Sequence, residues 1–268
     1  MNENLNFTGK VAVITGAASG IGAGLARYAS SLGMRLVLAD WNAGTLKQVA
    51  DKLETDFLAV EVDVRNEKSV QELCQAAFDR FETVDLLFNN AGVLSSGLSW
   101  EIDQETWQRS IDINVMGIVN VLRCFVPRLI ESDRNARIVN TGSVGGFFPT
   151  PLMATYSASK FAVTAITEAL ALELASIDSK IKVSLLAPGP VKTGLMDGKT
   201  PQQSEAFIDA LRNMADKKGL SPDEFAPLVF DAIDRGDYWI TPQPESLDDR
   251  LASRTKMILE RQNPVGEK

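Results

Sequence analysis

The stretch Thr15-Gly16-Ala17-Ala18-Ser19-Gly20-Ile21-Gly22 follows an apolar run, Val11–Thr15, and leads directly into a helical pattern. Gly16 permits a tight turn off a strand, Gly20 lets a phosphate group approach the backbone, and Gly22 allows close packing of helix on strand. The N-terminus of the following helix offers unpaired N–H groups and a partial positive charge. Glycine also serves ordinary turns and caps, but this strand–loop–helix context predicts a dinucleotide-binding loop.

Outward from this loop, short apolar runs alternate with helix-length segments to about residue 240. The predicted strands are Val11–Thr15, Arg35–Ala39, Leu58–Val62, Val84–Asn89, Arg137–Thr141, Lys182–Ala187 and Tyr238–Thr241. The predicted helices are Ile21–Ser31, Ala43–Leu53, Glu67–Arg80, Thr106–Glu131, Thr155–Ser176 and Ser221–Asp234. This alternation predicts an α/β fold of Rossmann type, a doubly wound parallel sheet with helices on both faces, formed by residues 1–268 as a single domain.

Two segments break the alternation. Thr193–Gly219 is a long insertion with several apolar residues, and we expect it to act as a lid on the substrate side. Residues 242–268 form a C-terminal extension, in which Ser246–Arg261 predicts a helix with Leu247, Leu251 and Ile258 on one side. We expect that helix to pack on its own subunit or on a neighbouring one.

Composition narrows the classes of function. The 268 residues include 27 basic and 35 acidic side chains, a net charge of −8, which disfavours nucleic acid as a partner. The absence of histidine excludes histidine-based triads and nearly all zinc chemistry, so no metal site is predicted.

Cys74 and Cys124 are expected to be reduced and packed. With no uninterrupted run of 18 apolar residues and no apolar leader in residues 1–9, we expect a cytoplasmic protein without a membrane partner.

Further polar residues follow the later strands, where a parallel sheet binds its ligand. Asp40 stands 18 residues after Gly22, where a carboxylate can accept hydrogen bonds from the adenosine ribose and repel a 2′-phosphate, although it could also be a turn residue. Neither Ser19 nor Trp41 supplies a compensating cation, so NAD is favoured over NADP. Asp63-Val64 is placed to meet the adenine, and the turn Asn90-Ala91-Gly92 to run beneath the cofactor.

Ser143, Tyr156 and Lys160 form the candidate catalytic group. Tyr156 and Lys160 are four residues apart at the start of a predicted helix and share a face, and Ser143 ends the fifth strand. Ionising a free tyrosine at pH 7 costs about 4 kcal/mol, and a nearby cation lowers that cost. The tyrosine can therefore act as an acid–base group while the serine holds the substrate oxygen. A tyrosine and a lysine at this spacing also occur on ordinary solvated helix faces.

With these motifs, nearly the whole chain resembles the short-chain dehydrogenase/reductase family, in its single-domain branch. Thr15–Gly22 resembles the glycine motif, Asn89–Gly92 the Asn-Asn-Ala-Gly motif, and Ser143, Tyr156 and Lys160 the catalytic set. The resemblance implies that Asn114 is a fourth catalytic residue, which distorts its helix and holds a water, and that residues 188–193 hold the nicotinamide. The cofactor residues implied by position and resemblance are Gly16, Ser19, Gly20, Ile21, Gly22, Asp40, Trp41, Asp63, Val64, Asn90, Ala91, Gly92, Tyr156, Lys160, Pro188, Gly189, Val191 and Thr193.

The function implied is an NAD(H)-dependent oxidoreductase that interconverts a secondary alcohol and a ketone, with Tyr156 as acid and base. An apolar substrate pocket is predicted from Leu94, Val144, Phe148, Leu195 and Met196, although several of these could simply pack the core. The alternatives are a 3-oxoacyl thioester reductase of the same family, or a catalytically idle dinucleotide sensor. By resemblance we expect a homodimer or homotetramer, with Thr106–Glu131 and Thr155–Ser176 as contact helices.

Overall fold

A computed structural model describes residues 6–198 and 200–265 of the chain. Within those ranges, seven parallel strands form one sheet in the order β3-β2-β1-β4-β5-β6-β7. The strands are β1 (Val11–Thr15), β2 (Arg35–Asp40), β3 (Phe57–Glu61), β4 (Leu86–Asn89), β5 (Ala136–Thr141), β6 (Ile181–Leu186) and β7 (Trp239–Ile240). The predicted doubly wound parallel sheet is confirmed.

Helices connect the strands and cover the sheet. They are α1 (Gly20–Ser31), α2 (Ala43–Ala50), α3 (Glu67–Phe81), α4 (Gln104–Ile111), α5 (Gly117–Glu131), α6 (Ala154–Ser176), α7 (Gln202–Lys218), α8 (Pro222–Asp234) and α9 (Asp248–Leu259). A π-helical turn, Asp112–Met116, joins α4 to α5, and short 3₁₀ turns occupy residues 144–146, 194–196 and 244–246.

The alternation of side chains along the buried strands produces two cores, one on each face of the sheet. In β1, Val11 and Val13 join the core that includes residues of α3, α5 and α6. Ala12 and Ile14 point the opposite way, into the core that includes residues of α1, α2 and α8. Full burial of each large aliphatic side chain contributes about 1.5–3 kcal/mol. Both faces of the sheet are therefore covered by helices. A ligand can bind at the carboxyl ends of the strands, where the connecting loops are exposed.

The predicted helix Thr106–Glu131 is longer and less regular than expected. It runs from Gln104 to Glu131 and contains the π-helical turn. Within the described residues it is the one helix long and apolar enough, by length and composition, to cross a membrane. Its buried side chains Ile118, Phe125 and Leu129 belong to one of the two cores, so its apolar character serves packing against the sheet.

The segment Thr193–Gly219, in which the sequence pattern predicts no helix, is mostly helical. Its 17-residue helix α7 has Ser204, Ile208 and Ala215 buried at helical spacing. Charged residues lie between these buried positions, and one of the three is a serine, so the sequence shows no clear apolar periodicity here. The other differences are shifts of element ends by one to three residues, as at β4, which begins at Leu86 rather than Val84.

The C-terminal helix α9 is present, and its apolar side is only partly covered. Leu247, just before its first residue, is 5% exposed, whereas Ile258 near its end is 54% exposed.

Cys74 and Cys124 are free thiols as predicted, and the Cys74 thiol donates to the Cys124 carbonyl at 3.4 Å. Burial raises the pKa of Cys74 to about 11, which keeps the thiol protonated at neutral pH.

Candidate active site

Each glycine of the loop after β1 occupies a position that disfavours a side chain. Gly16 has a φ of +67°, and a Cβ there would lie 2.8 Å from the Ala91 Cα. A Cβ on Gly22 would lie 2.1 Å from the Gly16 carbonyl oxygen. Gly20, with a φ of +51°, faces Thr193, whose Cγ2 would be 3.1 Å from an added Cβ. The loop is therefore held between the turn after β4 and the segment after β6.

The N-terminus of α1 has no side-chain cap from the described residues, as is also true of α5, α6, α7 and α9. In α2, α3, α4 and α8 the residue before the helix caps a first-turn N–H group with its side-chain oxygen. Ser19, which precedes α1, makes no such bond to any residue the structure describes. First-turn N–H groups, which have no intrahelical partner, are thus left without a side-chain cap beside the glycine loop. This arrangement suits a phosphate group.

Asp40 lies at the end of β2 and is 9% exposed. Its Oδ2 accepts a hydrogen bond from the Ala18 amide at 3.1 Å, and its Oδ1 accepts one from the Asn42 amide at 3.0 Å. Asp40 therefore orders the glycine loop and the next turn, as the alternative interpretation of this residue expected. Each carboxylate oxygen has a second lone pair, so the same side chain can still accept a hydroxyl. Trp41 beside it is 74% exposed.

Asp63 does not present a free carboxylate. Arg65 binds it through two nitrogens, with the shortest distance 2.6 Å from Nη2 to Oδ2, and this pairing lowers the pKa of the Asp63 carboxyl. The expected contact with an adenine therefore has to compete with Arg65. The neighbouring Val64 is buried, and its carbonyl accepts a hydrogen bond from Asn120 Nδ2 at 2.9 Å.

The turn after β4 is fastened to the end of β1. Asn90 Nδ2 donates to the Thr15 carbonyl at 3.1 Å, and the Ala91 amide donates to Thr15 Oγ1 at 3.2 Å. A Cβ on Gly92 would lie 3.5 Å from Lys160 Nζ. This turn therefore lies between the glycine loop and Lys160.

Ser143, Tyr156 and Lys160 lie close together at the carboxyl edge of the sheet, and each is buried. Lys160 Nζ lies 5.7 Å from the centroid of the Tyr156 ring and donates to the Thr141 carbonyl at 2.9 Å. Ser143 Oγ accepts a hydrogen bond from the Gly145 amide at 3.1 Å. A Cβ on Gly145 would contact both Tyr156 Cε1 and Ser143 Oγ, at 3.4 and 3.5 Å. The structure thus brings the three predicted residues together.

Burial controls the protonation of this group. It raises the pKa of the Tyr156 hydroxyl, and the hydrogen bond with Ser143 only partly opposes that rise. It lowers the pKa of Lys160 to about 8. The sequence reasoning expected the lysine to make tyrosine easier to ionise. In the structure, the loss of solvation dominates and the protein groups alone keep Tyr156 protonated at neutral pH.

Asn114 lies in the π-helical turn, where the expected distortion of the helix is found, and it is fully buried. Its Oδ1 accepts from the Val93 amide at 2.8 Å, and its Nδ2 donates to the Val93 carbonyl and to Ser159 Oγ, both at 2.9 Å. Ser159 Oγ in turn donates to the Tyr156 carbonyl at 2.8 Å. The Asn114 side chain therefore ties the segment after β4 to α6, the helix that carries Tyr156 and Lys160.

The segment of residues 188–193 follows β6 and faces the glycine loop through Thr193. The Pro188 carbonyl accepts a hydrogen bond from the Val144 amide, next to Ser143, at 3.1 Å. Val191 is buried and pairs with Leu220 in an isolated parallel bridge. Thr193 Oγ1 accepts from the Leu195 amide at 3.4 Å and so caps the short turn that begins the insertion.

The predicted substrate pocket is only partly supported. Leu94, Val144 and Met196 are half-buried and Leu195 is 39% exposed, so these four can be reached by a ligand. Phe148 is 5% exposed, and the guanidinium carbon of Arg250 in α9 lies 3.7 Å from its ring centroid. That face of Phe148 is therefore covered by the C-terminal helix. Sequence reasoning missed Arg250, because no local pattern links it to a residue a hundred positions away.

The chain matches the family model described as short chain dehydrogenase over residues 10–204. It belongs to the short-chain dehydrogenase family. A CLA biosynthesis dehydrogenase/reductase of Lactiplantibacillus plantarum is 33% identical over 95% of this chain and 94% of that protein. A short-chain dehydrogenase/reductase from Burkholderia phymatum, solved in complex with NAD, is 37% identical with a TM-score of 0.92, covering 98% of this chain and 99% of that one.

A third similar protein is a reductase named for its substrate. The 3-ketoacyl-(acyl-carrier-protein) reductase of Brucella melitensis, solved with NADH, is 30% identical with a TM-score of 0.76, covering 88% of this chain and 98% of its own. These similarities make the chain an oxidoreductase of the short-chain dehydrogenase family.

Proposed function

We propose that the protein is an NAD(H)-dependent oxidoreductase that interconverts a secondary alcohol and a ketone on an apolar substrate. The observation that carries this proposal is the convergence of three buried groups, Ser143, Tyr156 and Lys160, on one site beside the glycine loop. A protein that only binds a dinucleotide needs neither the serine nor the tyrosine.

The residues of the site fit a dinucleotide. The glycine loop has no room for side chains, and the uncapped N-terminus of α1 offers N–H groups to a pyrophosphate. Asp40 would accept the adenosine ribose hydroxyls and repel a 2′-phosphate, which is why NAD is preferred to NADP in this proposal. Lys160 would hold the nicotinamide ribose, and Val191 and Thr193 the carboxamide. The NAD complex of the Burkholderia relative supports this choice.

When bound, NAD(H) would supply the hydride acceptor for oxidation of the alcohol and the hydride donor for reduction of the ketone. Ser143 donates a hydrogen bond to the substrate oxygen and holds it beside Tyr156. During oxidation Tyr156 takes the hydroxyl proton, and during reduction it donates that proton back. Because burial alone raises the pKa of Tyr156, the positive charges of Lys160 and of the oxidised nicotinamide have to offset that rise during oxidation.

Asn114 fixes the geometry of the site, since it holds the segment after β4 against Ser159, three residues from the tyrosine. In this proposal Leu195 and Met196 contact the substrate, and α7 covers it as a lid. The protein is expected in the cytoplasm as a homodimer or homotetramer. Leu172 and Ile177, on and just after α6, are 73% and 58% exposed, which is consistent with a contact surface on that predicted contact helix.

A second candidate within the family is the reduction of 3-oxoacyl thioesters, which is favoured by the similarity to the Brucella reductase. Purified protein incubated with NADH or NADPH and a panel of apolar ketones and 3-oxoacyl thioesters separates the two. Consumption of NADH with simple ketones supports the main proposal. Consumption with thioesters alone supports the second, and binding of NADH without turnover across the panel contradicts both.

A further inference from the structure

The C-terminal extension touches the segment of residues 188–193 through one buried side chain. Gln243 is 5% exposed and follows β7 by three residues. Its Nε2 donates a hydrogen bond to the Pro190 carbonyl at 2.8 Å. The Pro190 carbonyl also accepts from the Leu220 amide at 3.3 Å. Pro190 is thus held from two directions, by the extension and by Leu220, two residues before α8.

Gly189, one residue earlier, is in contact with the same turn. A Cβ added there would lie 2.8 Å from Ser246 Oγ and 3.1 Å from Gln243 Oε1. The residues from Gln243 to Ser246 therefore form a surface against two consecutive residues of the segment. A side chain at position 189 would therefore collide with this turn, and movement of the segment away from the extension would break the hydrogen bond from Gln243.

The amide oxygen of Gln243 is buried and has no hydrogen-bond partner among the described residues. A buried unpaired acceptor is destabilising. If the side chain served only to fill space, an apolar residue of similar length would serve at least as well. The Pro190 carbonyl would still be satisfied by the Leu220 amide. A role in stability alone therefore does not account for the amide group of Gln243. Its hydrogen bond to the Pro190 carbonyl, which fixes the position of Pro190, does.

We infer that Gln243 is a positioning residue that fixes residues 188–193 for the nicotinamide half of the dinucleotide. The inference rests on the proposed function, which assigns that segment to the nicotinamide. Gln243 acts through Pro190 and does not touch the adenosine half, whose candidate residues lie at the glycine loop and Asp40. Its effect should therefore appear in the affinity for NAD and be absent from the affinity for ADP-ribose, which lacks the nicotinamide.

The test compares Gln243→Met with wild type in the full-length protein. Isothermal titration gives the Kd for NAD and for ADP-ribose, and a melting curve reports stability. Loss of one buried hydrogen bond should weaken NAD binding about three- to tenfold, with ADP-ribose binding and Tm nearly unchanged. Glu245→Gln, on the same turn and exposed, is the matched control and should alter none of the three quantities.

Equal weakening of NAD and ADP-ribose binding would show a general structural defect and overturn the inference, as would an unchanged NAD affinity. If Gln243→Met failed to fold, Gln243→Leu offers a second test. It removes both the donor and the unpaired acceptor while keeping a buried side chain, and it should show the same selective loss. Because these are binding measurements, they remain decisive even if no substrate is turned over, which would contradict the proposed function alone.

Discussion

Replacement of Lys160 by methionine should stabilise the unliganded protein at neutral pH while abolishing turnover. Burial lowers the pKa of Lys160 from 10.5 to about 8. At about 1.4 kcal/mol per unit, holding this lysine charged in the folded protein costs about 3 kcal/mol below pH 8. Methionine removes that cost, but it also removes the 2.9 Å hydrogen bond to the Thr141 carbonyl, which offsets about 1–2 kcal/mol. The net gain is about 1–2 kcal/mol, or about 2–8 °C in Tm.

The pH dependence identifies the cause. Between pH 8 and 10.5 the unfolded chain still binds the Lys160 proton and the folded protein does not, so wild type gains stability as pH rises. The advantage of Lys160→Met should therefore shrink by about 2 kcal/mol between pH 7 and 9.5. Denaturant unfolding at both pH values measures it, with Lys182→Met, an exposed lysine of β6, as the control. A variant that is less stable at pH 7, or a gap independent of pH, would refute the reasoning.

Three other outcomes are expected. Tyr156→Phe should lower turnover at least about 10³-fold in steady-state assays with little change in NAD affinity, because it removes the group that moves the proton; near-normal turnover would contradict the mechanism. Wild type should favour NADH over NADPH by roughly 1–3 kcal/mol in kcat/KM, and Asp40→Ala with Trp41→Arg should shift that preference toward NADPH. Hydrogen exchange in residues 193–219 should slow when NAD and a substrate analogue bind, and changes at Leu195 or Met196 should alter which alcohols react more than NAD affinity; full protection in the free protein would exclude a lid.

The parts of the fold that were predictable are those encoded by local pattern. A Cβ would collide at Gly16 and at Gly22, and Gly20 has a positive φ and a tight approach to Thr193; the sequence spacing alone pointed to all three. The strands are nearly continuous apolar runs because both of their faces are covered. Helix α7 was missed, since its buried stripe of Ser204, Ile208 and Ala215 includes a serine and lies among charged residues.

The parts of the site that were not predictable depend on individual side-chain contacts, two of them between distant residues. The pairing of Asp63 with Arg65 is two residues apart, yet only the structure shows that it occupies the carboxylate. The contacts of Arg250 with Phe148 and of Gln243 with Pro190 join the C-terminal extension to loops more than fifty positions earlier. No periodicity or motif encodes such pairs.

The measurement that tests the central claim most directly is isotope transfer from the cofactor to the substrate. Wild-type protein is incubated with NADH deuterated at C4 of the nicotinamide, in both stereochemical forms, and with a ketone that the panel shows to be consumed. The account predicts that one form places a single deuterium on the carbinol carbon of the product, and that Tyr156→Phe reduces this transfer at least about 10³-fold. Product without deuterium from either form, or transfer that persists in Tyr156→Phe, would contradict it.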